Sequence, residues 1–143
     1  MAHDDDFMLA LFEVLIPADT VRGMPNAALP AILPIVRERV GQIPEMGQLV
    51  ETSLDCLHEK ALASAPAGFT TLDLAKRTAL VKAVEQEQPF GLQALTFSLF
   101  AAYYQQPEVL TALGLPARAP FPEGFELEGD DEVWFEKARA RAR

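Results

Sequence analysis

Residues 90–114 read FGLQALTFSLFAAYYQQPEVLTALG, and this stretch decides the fold class. Its first part places apolar side chains on every side of a helix, and no charged residue precedes Glu108. A helix that is apolar all round belongs at the centre of a bundle or beneath a partner. Pro107 suits the first turn of a new helix, and Gly114 suits its end. The stretch therefore predicts a central helix over 90–105 and a short helix after it.

Four further helices are expected on the N-terminal side of this stretch. Apolar residues recur there at helical spacing, and prolines or glycines separate the periodic segments. Asp4 to Asp6 are placed to cap the first helix, and Thr70 is placed to cap the fourth, with Asp73 returning the bond. The expected helices are 6–16, 27–40, 44–65 and 70–88.

Prolines leave one of these helices uncertain. Pro30 and Pro34 both fall within the second segment, so Pro34 either kinks that helix or delays its start. Pro17 ends the first helix, and Asp19 is expected to cap the turn that follows. Arg77 is expected to pair with a carboxylate one turn away, such as Asp73.

The C-terminal part is expected to be different in kind. Its prolines at 116, 120 and 122 prevent regular structure, and Asp130 or Asp131 can cap a short last helix. We predict an all-α single-domain bundle of about five helices in residues 1–114, with a Pro-rich acidic tail and terminal helix in 115–143.

The composition excludes several classes of protein. Half of the 143 residues are apolar, which argues against a disordered chain, and the net charge of -9 opposes binding to nucleic acid. The single cysteine, Cys56, rules out an intrachain disulfide. The apolar helix 90–105 contains polar residues and lacks Lys or Arg anchors, so we expect a core helix and no membrane insertion. The N-terminal sequence has no secretory pattern, and a cytoplasmic location is expected.

The residues offer little for catalysis. His3 beside Asp4 to Asp6 can suggest a metal site, and with Met1 retained His3 is third from a free amine, an arrangement that chelates copper or nickel. Ala2 favours removal of Met1, which breaks this spacing, so a solvated, helix-capping terminus is the favoured interpretation. Cys56 and His58 lie two residues apart on a helix and point in different directions, so they do not form a nucleophile pair. Cys56 is expected to be a small buried apolar residue. We therefore expect no catalytic residue, cofactor or metal; an enzyme that uses carboxylates alone is a remote alternative.

Short motifs spread over most of the chain resemble one known family. They are LFEVLIPAD at 11–19, FTTL at 69–72 with Arg77, and Tyr103-Tyr104-x-x-Pro107 followed by Leu113-Gly114 and a Pro-rich stretch to Gly124. In this order they resemble the gluconate 2-dehydrogenase subunit 3 family, the small subunits of some membrane-associated flavin dehydrogenases.

The resemblance implies a non-catalytic accessory subunit that binds a large flavoprotein and assists its maturation. The flavin belongs to the partner, so no cofactor is implied for this chain. Many relatives carry a twin-arginine export signal, whereas this sequence opens at its first helix, and export is expected only if a partner carries it.

Exposed aromatic residues are the candidates for binding a partner. Tyr103 is expected to pack in the core, whereas Tyr104 is a candidate contact residue. The tail adds aromatic anchors that either dock on the bundle or contact a partner. The candidate partner-binding residues are Tyr104, Phe121, Phe125, Trp134 and Phe135. The alternative hypothesis is a stand-alone helical module that forms homo-oligomers and binds a small apolar ligand.

Overall fold

The computed structural model describes residues 3–117, which form an all-α bundle. Six α-helices and one 3-10 turn lie in this range, and the only strand-like pairing within it is an isolated bridge in the loop after the first helix. The elements are α1 (Asp5–Leu15), α2 (Ile32–Gly41), α3 (Pro44–Ser64), the 3-10 turn (Phe69–Thr71), α4 (Leu74–Glu87), α5 (Pro89–Tyr103) and α6 (Pro107–Ala112).

Helix α5 is the central element, as its apolar sequence predicts. It packs against α2, α3 and α4, most extensively against α3, while α1 packs on α4 and on the 3-10 turn. Its inner side chains are almost fully buried, among them Leu92, Leu95, Leu99 and Ala102. No helix within residues 3–117 is both long enough and apolar enough to span a membrane.

The backbones of α3 and α5 approach each other closely at Gly91. A Cβ atom placed on Gly91 would collide with the Ser53 hydroxyl and the Leu49 carbonyl oxygen, and would lie 2.8 Å from the Leu49 carbonyl carbon. Ser53 is itself buried and donates its hydroxyl to the Gln88 carbonyl oxygen at 3.2 Å, which ties α3 to the junction between α4 and α5. Only glycine fits at position 91, because two of the three atoms in the way belong to backbone.

The bounds of the second helix show how it accommodates Pro30 and Pro34. Helix α2 begins at Ile32, so Pro30 lies outside it and Pro34 lies in its first turn. The N–H groups of a first turn have no partner within the helix, so proline removes no hydrogen bond there. Pro34 therefore delays the start of the helix and does not kink it.

Two side-chain contacts predicted for α4, its N-cap and the ion pair of Arg77, are wrong. The N-cap of α4 is Asp73, whose carboxylate accepts from the Lys76 N–H at 2.8 Å, whereas Thr70 lies in the 3-10 turn. This N–H holds the pKa of Asp73 below its usual value. Arg77 does not pair with Asp73; it bonds Glu13 at 2.9 Å and the Ala10 carbonyl oxygen at 3.1 Å, because α4 lies against α1.

Other local predictions are confirmed. Asp4 caps α1 by accepting from the Phe7 N–H at 2.7 Å, and Asp19 accepts from the N–H groups of Val21 and Arg22 in the turn after Pro17. The chain turns at Gly114 with a φ of 72°, as expected for the end of a short helix. The predicted terminal helix and most of the predicted tail, from residue 118 onward, lie outside the described residues.

The contact at Gly91 gives a direct test of the packing. Gly91→Ala improves helix propensity by about 1 kcal/mol, but it forces α5 away from α3. Because overpacking of this kind costs about 1–3 kcal/mol and here meets backbone atoms, we expect a lower free energy of unfolding in urea.

Gly41→Ala is the matched control, since a Cβ on Gly41 meets nothing within 4 Å. Its free energy of unfolding should stay the same or rise by up to about 1 kcal/mol. Equal stability of the two variants would contradict the close approach of α3 and α5.

Candidate functional site: the aromatic face of α5

The outward side of α5 carries a row of exposed aromatic rings. Phe90, Phe97, Phe100 and Tyr104 recur at intervals of three, four or seven residues, so they lie on one side of the helix, and we call this surface the aromatic face. Their exposed fractions are 70%, 73%, 41% and 48%. The full sequence of α5 contains no Asp, Glu, Lys or Arg, so no charge on this helix interrupts the row.

The aromatic face is energetically unusual for a small domain. Burying one phenylalanine side chain contributes about 1.5–3 kcal/mol, and Phe90 and Phe97 realise little of it within the described bundle. Single exposed apolar residues are ordinary, but several large ones on one side of a helix are typical of surfaces that contact a partner or a ligand. The arrangement suits apolar contact, and the Tyr104 hydroxyl is the only polar group among its four side chains.

The two neighbouring tyrosines at the end of this helix differ in burial. Tyr103 is buried and donates its hydroxyl to the Pro25 carbonyl oxygen at 2.6 Å, which joins α5 to the loop between α1 and α2. Burial, together with the nearby Tyr104, raises the pKa of Tyr103 above its usual value. The core role expected for Tyr103 is confirmed.

Tyr104 points outward and extends the aromatic face. Its ring stacks on Phe100 with centroids 6.1 Å apart, and meets the Tyr103 ring edge-on at 5.2 Å. Two of its neighbours thus fix its orientation while about half of its surface stays exposed. Such a rigid, half-exposed tyrosine fits the contact role predicted for it.

The other four predicted contact residues all belong to the C-terminal tail. Phe121, Phe125, Trp134 and Phe135 lie outside the described residues. Sequence reasoning missed Phe90, Phe97 and Phe100, because an all-apolar helix does not reveal which of its sides the bundle covers. The spacing of its largest aromatic residues was the signal that could have found them.

Cys56 lies beside a carboxylate at the end of α4. Cys56 is half-buried on α3, and its sulfur lies 3.8 Å from a carboxylate oxygen of Glu87, which in turn pairs with Lys60 at 2.8 Å. Burial raises the pKa of the Cys56 thiol although the Lys60 ammonium opposes the rise. A raised pKa disfavours the nucleophilic thiolate, so Cys56 does not have the environment of a reactive cysteine.

The expectation for His3 is wrong in one respect. Its side chain is 11% exposed and not solvated: its ring stacks on Phe7 with centroids 4.8 Å apart, and its Nε2 lies 3.1 Å from an Asp55 carboxylate oxygen. His3 is buried by residues distant from it in sequence, since Asp55 belongs to α3. The favoured capping role is confirmed only for the neighbouring Asp4.

The bundle and its aromatic face define a class of protein, a small all-α bundle whose central helix has an exposed apolar surface. No catalytic constellation is described within residues 3–117. The profile of the family Gluconate 2-dehydrogenase subunit 3 matches residues 2–115. This protein belongs to that family. The match spans the whole described bundle except its last residues, in agreement with the resemblance carried by the spaced motifs. No curated protein and no solved structure gives a significant match to the chain.

The two tyrosines can be separated by removing each hydroxyl. Tyr103→Phe loses the bond to Pro25, so we expect the free energy of unfolding to fall by about 1 kcal/mol. Tyr104→Phe keeps the stacked ring and loses only an outward hydroxyl, so its change should stay within about 0.5 kcal/mol. Chemical denaturation of both variants measures this, and a larger loss for Tyr104→Phe would reverse the two roles.

Proposed function

We propose that this protein is a non-catalytic accessory subunit that binds the large flavoprotein subunit of a dehydrogenase through the aromatic face. The observation that carries the proposal is the exposed row of Phe90, Phe97, Phe100 and Tyr104 on a helix without charged residues. Membership in a family of dehydrogenase small subunits supports the kind of partner.

The chemistry of the face indicates what the partner surface should be like. Aromatic residues that are rigid and partly exposed are the usual centres of binding energy in protein interfaces. Because α5 itself offers no charge, the partner should present an apolar groove or patch at the centre of the contact. Acidic residues elsewhere on the protein, which has a net charge of -9, would lie at the rim or beyond it.

The role assigned to the protein is binding and support of maturation. The only cysteine of the sequence has a raised thiol pKa, which disfavours the thiolate that a cysteine nucleophile needs. The flavin and the redox chemistry belong to the proposed partner. Self-association through the same face is the competing outcome, because an exposed aromatic row also suits a second copy of the chain.

A photo-crosslinking amino acid placed at the aromatic face tests the proposal. A benzophenone side chain in place of Phe97, expressed in the native host, should cross-link to a flavin-containing dehydrogenase. The same substitution at Val21, an exposed apolar residue in the loop after α1, is the control and should give no such product. A product that contains only a second copy of this chain would replace the proposed function with self-association.

A charge introduced into the face should disrupt the complex without disrupting the fold. We expect Phe97→Asp to abolish co-purification with the flavoprotein, since a carboxylate buried in an apolar contact costs several kcal/mol. Val21→Asp is the matched control and should leave co-purification intact. Circular dichroism of both variants checks folding, and full retention of the partner by Phe97→Asp would exclude the aromatic face as the interface.

A further inference from the structure

Both histidines of the chain meet in the structure although 54 residues separate them. The sequence contains two histidines, His3 ahead of α1 and His58 on α3, and their ring centroids lie 5.7 Å apart. Phe7 contacts both rings, stacked on His3 and edge-on to His58 at 5.9 Å. The small number of histidines was the reason that the sequence predicted no metal site.

Two carboxylates complete the surroundings of His3. Glu51 and Asp55 lie one turn apart on α3, and both reach toward the His3 ring. One ligand atom from each of His3, Glu51 and Asp55 falls within 4.8 Å of the others, and we call these three residues the His3 cluster. Zinc–ligand bonds of about 2.0–2.2 Å need ligand atoms about 3.4 Å apart, so small side-chain rotations are enough to close the set.

Separate contacts hold the His3 cluster in place. The His3 carbonyl oxygen accepts from the Arg37 guanidinium at 3.0 Å, and Arg37 also pairs with Asp5 at 2.8 Å. The His3 ring is fixed by stacking on Phe7 and by the contact of Nε2 with Asp55. This imidazole is therefore oriented toward the carboxylates by interactions on its backbone, its ring face and its ring nitrogen.

An open cavity lies beside the cluster. It has a volume of about 350 Å³, and His3, Asp55 and His58 line it together with Phe69 and its neighbours. A metal held by three protein ligands keeps further coordination positions for water, and the Asp55 side chain, which is 64% exposed, shows that solvent reaches the cluster.

We propose that His3, Glu51 and Asp55 bind one divalent transition-metal ion, with Zn²⁺ as the best-fitting example. One imidazole with two carboxylates is a ligand set typical of zinc and its neighbours and is poorly suited to calcium, which takes oxygen ligands. The ion replaces the direct contact between His3 and Asp55 and bridges the segment before α1 to the middle of α3. Its role is structural, and it is independent of the aromatic face and of the proposed function.

Calorimetric titration of Zn²⁺ alone into the full-length, untagged protein tests the site. We expect saturable binding of one ion per chain, and a thermal transition that rises with Zn²⁺ concentration because the ion binds only the folded state. Asp55→Asn and His3→Gln should each weaken binding about tenfold or more. Asp6→Asn, an exposed acid in the first turn of α1, is the matched control and should bind as the unaltered protein does.

The same variants distinguish the proposed site from chelation of Zn²⁺ by the N-terminal amine together with His3. Such chelation uses His3 without α3, so equal Zn²⁺ affinity of Asp55→Asn and the unaltered protein would overturn the proposal. Absence of saturable Zn²⁺ binding would overturn it as well, and would leave His3 and Asp55 as a hydrogen-bonded pair. If Asp55→Asn loses Zn²⁺ binding while the benzophenone at position 97 still cross-links to the flavoprotein, the two proposals concern separate surfaces.

Discussion

The close approach of α3 and α5 at Gly91 is the contact on which the rest of the bundle depends. The absence of a side chain there lets the two longest helices of the described bundle pack backbone against backbone, and it places Ser53 where its hydroxyl satisfies the Gln88 carbonyl at the α4–α5 junction. One small residue thus sets the depth at which α5 sits. Leu92, Leu95 and Leu99 then reach the core, and the opposite side of the same helix must face outward.

The aromatic face follows from this geometry. A helix buried on the side of Leu95 and Leu99 cannot also bury Phe90 and Phe97, which lie on its other side, unless a further element covers them. Within the described residues no helix does so. The strongly apolar character of α5 therefore serves two surfaces, the core of the bundle and the surface that we propose binds a dehydrogenase subunit.

Long-range contacts at the N-terminal end have a different character. Arg37 holds the start of α1 through Asp5 and the His3 carbonyl, while Arg77 on α4 holds the last turn of α1 through Glu13. Both arginines join elements far apart in sequence and so fix α1 on the bundle. The metal site proposed at His3 would add a third such link, on the face of α3 turned away from the core.

The sequence by itself determined the elements and much of their local chemistry. Proline and glycine positions, the cap at Asp4 and the turn at Asp19 were predictable because each depends on residues within one turn of the chain. The all-α class and the central place of α5 were predictable from its apolar character. The family was recognisable from the order of short motifs around Pro17 and Tyr103.

Only the tertiary structure decided which surfaces these elements share. The partner of Arg77 was mispredicted as Asp73 because the sequence does not show that α4 lies against α1. The aromatic face depends on which side of α5 the other helices cover, and the meeting of His3 with Asp55 and His58 depends on where the segment before α1 lies against α3. Local structure follows from residues a few positions apart, whereas a binding surface or a ligand cluster follows from the relative placement of whole helices, which packing contacts such as the one at Gly91 determine.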